Sequence, residues 1–335
     1  MSITKNMVPV KVSICCLTYN HEKFIRDCIE GFLMQETNFT YEIIIHDDAS
    51  TDSTASIIKE YQNKNIDIIH CILQKENKLS KGIKPSQAYV WPKAKGKYIA
   101  LCEGDDFWTD PNKLQYQIDL MEKHKVDLSF HPSIIEEKEN GNLKQNKKNY
   151  FHGKKLKKFS TNDILNKDGQ VLQVPTASII FKKNTFDDLI HKNPHFFSTY
   201  ISHTIIVLIG SLKRKTLYIP RFMAVYRKGH DSSWTNRMKL DSNFRVNYNS
   251  KLIEAYKKFN HITKYKFNKK INKNISKRVF STLKNLNIPL IVRSKHFQKN
   301  KSNIFFNHIV IWHLILKWTA IHKVANKTLN FFRNF

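Results

Sequence analysis

Apolar and polar positions along the first 125 residues fall into blocks whose period switches between two and 3.6 in a regular order. Residues 10–20, VKVSICCLTYN, form an apolar run closed by polar side chains, as a buried strand does. Phe24, Ile25, Cys28, Ile29, Phe32 and Leu33 then recur at helical spacing, which predicts a helix within 21–35. A second apolar run, 41-YEIIIHDDAS-50, ends on Asp47 and Asp48, and helical spacing returns from Ser53 to Tyr61. A third strand is predicted around 67–73, a helix across Pro85 to Pro92, a fourth strand at 97-KYIALCEGDD-106, and a helix from Asn112 to Glu122.

Strand and helix in alternation predict an α/β fold with a mostly parallel sheet covered on both faces. Ligands of such sheets bind beyond the carboxyl ends of the strands, where Thr18 to Asn20, Asp47 to Ser50 and Glu103 to Asp106 would converge. Asp105 and Asp106 are adjacent carboxylates, and like charges held this close call for a cation or an array of donors. No G-x-G-x-x-G follows the first strand and no G-x-x-x-x-G-K-[ST] occurs in the chain, so neither common phosphate-cradling turn is present. Acidic loops can instead hold a ribose and a base, with a divalent ion neutralising a diphosphate, which is the logic of a nucleotide-sugar site.

These segments carry a family resemblance. Residues 12–54 and 94–122 resemble the family 2 glycosyltransferases of bacterial capsule, lipopolysaccharide or exopolysaccharide assembly. The marks are Thr-Tyr-Asn after the first strand, D-D-x-S-x-D after the second, and the acidic cluster after the fourth. The resemblance implies a GT-A fold and a hexosyl or N-acetylhexosaminyl transfer from a nucleotide-sugar, with a UDP-sugar as first choice and manganese or magnesium as cofactor. It further implies that Thr18 and Tyr19 line the base pocket beside Asn20 and Asp47. Asp48 would hold uracil or ribose, Asp105 would lie near ribose and metal, and Asp106 would ligate the metal. Lys97 is a candidate phosphate neighbour, with a solvated strand-edge lysine as the plainer alternative. A turn or helix cap is the plainer role for Asp47 and Asp48.

Residues 127–137 predict a further strand, and 138–160 break all periodicity. Order resumes at 171–186 and again in an apolar helix, 202-SHTIIVLIGSLKRK-215. By register, His203 stands where the family presents its acidic base, and a neutral imidazole can take a hydroxyl proton near neutral pH. Asp187, Asp188 and Asp231 are rival bases. The stretch 216–236 resembles the family's Tyr-Arg strand and the loop that follows it, which implies Arg227 as a neutraliser of diphosphate charge, with a packing role as the plainer alternative, and His230 as a further metal ligand or a partner of a phosphate oxygen.

Charge alters the picture of the remaining chain. The net formal charge of this 335-residue protein is +28, and from Lys251 to Phe335 there are 19 Lys plus Arg against the single acid Glu254. Residues 304–335 mix aromatic and aliphatic residues with Lys and His, a composition suited to lying in an anionic headgroup layer. The expected plan is a catalytic domain over 1–240, with a nucleotide half (1–125) and an acceptor half (126–240), followed by a basic amphipathic helical region (241–335). That region could also mediate an oligomer or pack on its own domain. Five cysteines without metal-site spacing and an N-terminus without an export-signal pattern predict a cytoplasmic protein, peripheral on the inner membrane and facing a glycan or lipid-diphosphate-linked acceptor. Nucleic acid is the alternative partner that such charge suggests, but a phosphate backbone would be repelled by the acidic rim. A transferase fold that has lost its chemistry and serves as a scaffold is the third possibility.

Overall fold

The computed structural model describes residues 9–139, 142–146, 150–166, 171–193, 202–230, 233–284 and 299–300. The chain divides into two compact units, Met1–Ile164 with Leu172–Leu240, and Leu165–Val171 with Asp241–Phe335.

The first unit opens with β1 (Val12–Thr18), α1 (Ile25–Leu33), β2 (Tyr41–Asp47), α2 (Thr54–Lys64), β3 (Ile69–Leu73) and β4 (Tyr98–Glu103). β1 lies between β2 and β4, parallel to both, and β3 runs parallel along the far side of β2. Both faces of β1 are covered, which is why Val12, Ile14, Cys15 and Cys16 are all buried, and the one polar residue among them, Ser13, is buried too and donates to Glu42 at 2.6 Å. The register is level at one edge. Thr18 pairs with Asp47 and Leu17 with Glu103, so the loops after all three strands leave side by side. The helix expected across 85–92 is a π turn, Ser86–Val90, followed by a 3-10 turn, Trp91–Lys93. Pro92 has no N–H to continue a helical ladder.

Next come β5 (Phe107–Trp108), α3 (Lys113–His124), β6 (Leu128–Phe130), β7 (Ile134–Glu139), β8 (Asn142–Asn146), β9 (Lys157–Phe159) and α4 (Thr161–Ile164). The unit is completed by β10 (Ile180–Lys182), α5 (Lys183–Lys192), α6 (His203–Arg214), β11 (Thr216–Tyr218), β12 (Ala224–Lys228) and α7 (Trp234–Leu240). The expected single strand over 127–137 is two strands in different sheets, broken at His131-Pro132-Ser133, because a proline cannot donate to a ladder.

The large sheet has the order β3-β2-β1-β4-β10-β6-β11-β9, and the small one β5-β12-β7-β8. The large sheet is mixed, since β10 is antiparallel to both β4 and β6. Those two therefore point the same way, and β11 follows β6. The carboxyl ends of β1, β2, β3, β4, β6 and β11 thus share one edge. Gly31 of α1 lets the backbone of β5 approach, because a Cβ there would sit 2.9 Å from the Trp108 nitrogen and oxygen. The Phe32 ring meets Trp108 edge-on at 4.9 Å, anchoring the strand that follows the acidic pair.

The second unit contains α8 (Ser242–Ile262), capped by the Asp241 carboxylate on the Phe244 N–H at 2.9 Å, and α9 (Asn268–Lys284). They form an antiparallel hairpin, with Asn249 bonded to Thr282 and Asn260 to Asn268 at opposite ends. Leu252, Tyr256 and Phe259 of one helix and Ile271, Ile275 and Val279 of the other are buried. The apolar, basic segment 304–335 lies outside the described residues. Among those described, no helix is long and apolar enough to cross a membrane.

Candidate active site

The loops at the level edge are tied together by their own polar side chains. Asn20, in the left-handed region at φ 57°, takes the Thr51 N–H on Oδ1 at 2.8 Å and gives its own N–H to the Ser50 hydroxyl at 2.9 Å. Asp47 accepts from the Ser50 N–H and hydroxyl. Asp48, nearly inaccessible, takes the Lys78 and Leu79 N–H groups at 2.8 and 3.0 Å, pinning the loop after β3 onto the rim. Neither aspartate caps α2. That start is met by Asp52 and Glu22, which accept the Thr54 and Ser53 N–H groups. Tyr19 is exposed at the rim, whereas the Thr18 hydroxyl is buried with no hydrogen-bond partner among the described residues.

The acidic turn after β4 passes directly over this floor. A Cβ on Gly104 would stand 2.8 Å from Thr18 Oγ1 and 3.0 Å from His21 Nδ1, so only glycine allows the approach. Beyond it, Asp105 and Asp106 part company. The Asp105 carboxylate lies 3.1 Å from His230 Nε2 and 4.0 Å from His21 Nε2. Asp106 turns inward, 2% exposed, and accepts the Arg227 N–H at 3.0 Å.

Their environments separate their proton affinities. Burial pushes the Asp105 carboxyl up, but the His230 hydrogen bond and the two imidazoles outweigh it and hold its pKa below the usual aspartate value. Burial first, and then the Asp105 charge, drive Asp106 well above that value. Glu103 is pushed up to about 7 by burial and by Asp105, against a pull from Lys84. Burial lowers the His21 pKa, so this imidazole is neutral at pH 7 and its contact with Asp105 is not an ion pair.

Arg227 is committed on every side. It pairs with Asp27, with Glu136 at 3.2 Å and with the Asp105 carbonyl at 3.5 Å, and its guanidinium lies 4.2 Å from the Phe107 ring centroid and 5.3 Å from that of Phe24. The planar fork joins α1, the acidic turn and the small sheet, which is the packing role open to it beside that of neutralising a diphosphate. Lys97 takes the plainer of its two readings, an edge lysine. It precedes β4 at the opposite edge, its ammonium 2.9 Å from Glu122, and the strand between it and Gly104 is about 20 Å long. Asp187 and Asp188, the rival bases, pair with Lys183 and Lys213. Asp231 lies outside the described residues. His203 opens α6, which lies against β6 with Gly210 packed on Leu128 and turns through Lys215 into β11. The helix therefore runs against the strand direction, and its first residue is carried to the rim edge.

Among the described residues, no group of three or more His, Cys, Asp or Glu side chains forms a metal cage. Asp105 and His230 supply one oxygen and one nitrogen donor. Those donors would suit a divalent ion that draws further oxygens from a substrate's phosphates.

The sequence model of glycosyl transferase family 2 matches residues 13–189. The chain belongs to this family. One relative is an uncharacterized protein of Mycobacterium tuberculosis, 32% identical over 231 residues, covering 67% of this chain and 60% of that protein. The chain thus spans about 60% of the length of that curated relative. Over 125 residues it is 38% identical to WfaP of Escherichia coli, a UDP-Glc:α-D-GlcNAc-diphosphoundecaprenol β-1,3-glucosyltransferase, covering 37% of this chain and 47% of WfaP. In fold it is similar to Staphylococcus aureus TarS residues 1–349, solved with UDP-GlcNAc, at TM-score 0.58 and 14% identity over 89% of this chain and 83% of that one. The family 2 assignment accounts for the GT-A architecture and for the order of the three rim motifs.

Sequence reasoning missed His21, Asp27 and Glu136. His21 directly follows the Thr-Tyr-Asn motif and was findable as an imidazole in a binding loop. Asp27 and Glu136 had no local signal, since each acts through a partner at least ninety residues away.

Proposed function

We propose that this chain transfers a sugar from a nucleotide-sugar, with a UDP-sugar as first choice, to a hydroxyl of a glycan or lipid-diphosphate-linked glycan in cell-surface polysaccharide synthesis. The observation that carries the reading is Asp105, a carboxylate kept ionised at the level edge between two imidazoles while its neighbour Asp106 is buried. The donor and acceptor class named for WfaP supports the choice of UDP-sugar and lipid-linked glycan.

Asp105 and His230 are assigned to hold a manganese or magnesium ion. Such an ion, when bound, neutralises the diphosphate as it departs. The chain's own residues do the rest. Tyr19 offers an exposed ring beside the base, and Asp48 fixes the loop that closes that pocket. Arg227 positions the acidic turn. His203 at the start of α6 accepts the proton of the acceptor hydroxyl as its oxygen bonds to the anomeric carbon, and the bonding pair to the old oxygen leaves with the diphosphate. Displacement from the opposite face inverts the anomeric centre. A glycan acceptor carried on lipid places the protein at the cytoplasmic face of the membrane, with 304–335 as its surface anchor.

The test is a transfer assay of the full chain with a panel of UDP-sugars, manganese and a lipid-diphosphate-linked sugar, read by mass of the product. Product that disappears in Asp105→Asn is expected. Product formed equally by that variant, or none with any donor alongside salt-dependent binding to nucleic acid, would overturn the reading.

A further inference from the structure

The opposite edge of the large sheet carries a second polar site. A cavity of about 270 Å³ is lined there by Lys97, Tyr98, Glu122, Lys125, Lys182 and Arg214, among others. These cations come from four separate elements: the residue before β4, the end of α3, the end of β10 and the end of α6. Lysine and arginine at the ends of α3 and α6 complement the helix dipoles. Lys97 directly precedes β4, and Lys182 ends β10 and caps the start of α5, where the helix dipole disfavours a cation. Their convergence on one hollow needs another cause.

Counter-charge within the protein does not supply it. Glu122, the carboxylate in this lining, is taken up by Lys11 at 3.0 Å, Lys97 at 2.9 Å and the Tyr98 hydroxyl at 3.1 Å. It fixes the Lys97 side of the wall. Lys125, Lys182 and Arg214 form no ion pair among the described residues. Three cations line the hollow beside one carboxylate that already has two ammonium partners, and the excess makes a local positive potential that attracts anions. At roughly 30 Å³ for a water, the hollow has room for a phosphate or diphosphate group with its hydration. Guanidinium and ammonium groups together suit that chemistry, the first by a planar fork and the second as a point charge.

We propose that this cavity is a binding site for a phosphate-bearing anion, separate from the donor site. The strand β4 stands between the two, so a ligand here does not touch the rim. The phosphate could be free or could belong to a lipid headgroup, and the two sources are told apart by experiment.

Pyrophosphate is titrated into the full-length protein by calorimetry, with EDTA present to silence metal-dependent binding and physiological salt to suppress diffuse attraction. Two triple variants are compared: K125Q/K182Q/R214Q, which empties the cavity wall, and R26Q/K59Q/K64Q, which removes equal charge from the outer face of α1 and α2. Saturable binding weakened at least about tenfold in the first and less than about twofold in the second supports the site. Slower acetylation of Lys125 and Lys182 than of Lys59 at saturating pyrophosphate gives the same answer without any variant. Retention on phosphatidylglycerol vesicles lost only in the first variant, with pyrophosphate binding unchanged, would name lipid as the source. Equal weakening in both variants, or no saturable binding and no selective loss from vesicles, would overturn the proposal.

Discussion

Asp105 and His230 are 125 positions apart in sequence, and their Oδ2 and Nε2 atoms are 3.1 Å apart in space. The contact joins the turn after β4 to the loop after β12, so each residue is marked by its own local motif while their meeting is not. If this pair seats the metal, His230→Ala should weaken manganese-dependent UDP affinity about tenfold, and the Asp105→Asn/His230→Ala double variant should lose less than the sum of the two single losses. Isothermal titration on the four proteins measures it, and strict additivity would separate the two residues.

Asp106 should behave differently from its neighbour. Its buried carboxyl group accepts the Arg227 N–H, so Asp106→Ala should lower stability by about 1–3 kcal/mol. Urea unfolding reads that cost, and manganese-dependent affinity should fall less than in Asp105→Asn.

Arg227 is expected to be a positioning residue. Arg227→Met leaves Glu136 and Asp27 without their cation and should destabilise by about 3 kcal/mol, since one half of a largely buried pair is stranded. Arg227→Lys should recover little of it, because an ammonium cannot reach three acceptors in one plane between two rings. Thermal unfolding of both variants checks the point.

The nucleotide half was legible because its elements are local. The run Val12–Thr18 and the helical spacing of Ile25, Cys28, Ile29 and Phe32 are set by burial on one sheet, and the structure repeats them within a few residues. Strand insertion is not local. Nothing in Ile180–Lys182 announces that it lies antiparallel between β4 and β6, and the break at Pro132 sends two halves of one apolar stretch to two sheets. Lys97 shows the same limit at the site, since sequence distance from Asp105 is short while the extended strand carries it to the other edge. Asp48 shows the reverse, because its partners Lys78 and Leu79 could be found only once β3 and its loop were folded against β2.

Asp48→Ala should release that loop. Two backbone N–H groups lose a charged acceptor, which costs about 2 kcal/mol. Trypsin should cut faster at Lys75, Lys78 and Lys81, and UDP affinity should fall in parallel. Unchanged cleavage would show that the loop is held by other contacts.

Lys113 offers a pH test. It is wholly buried, donates to Gln117 Oε1 at 2.7 Å and lies 4.1 Å from the Trp108 ring centroid, and burial lowers its pKa from 10.5 to about 7. Between those values the unfolded chain holds a proton that the folded chain lacks. Stability from this group therefore rises with pH across that window, by about 1.4 kcal/mol per unit at most. Relative to wild type, Lys113→Met should lose this rise in denaturant unfolding between pH 7 and 10.

The central claim is that an ion held by Asp105 seats the donor diphosphate, and calorimetric titration of UDP in manganese buffer against wild type and Asp105→Asn tests it most directly. Saturable binding that needs manganese, and that falls at least about tenfold in the variant with its fold intact, is the predicted result. Equal affinity in the two proteins, or equal affinity with the ion chelated, would contradict it.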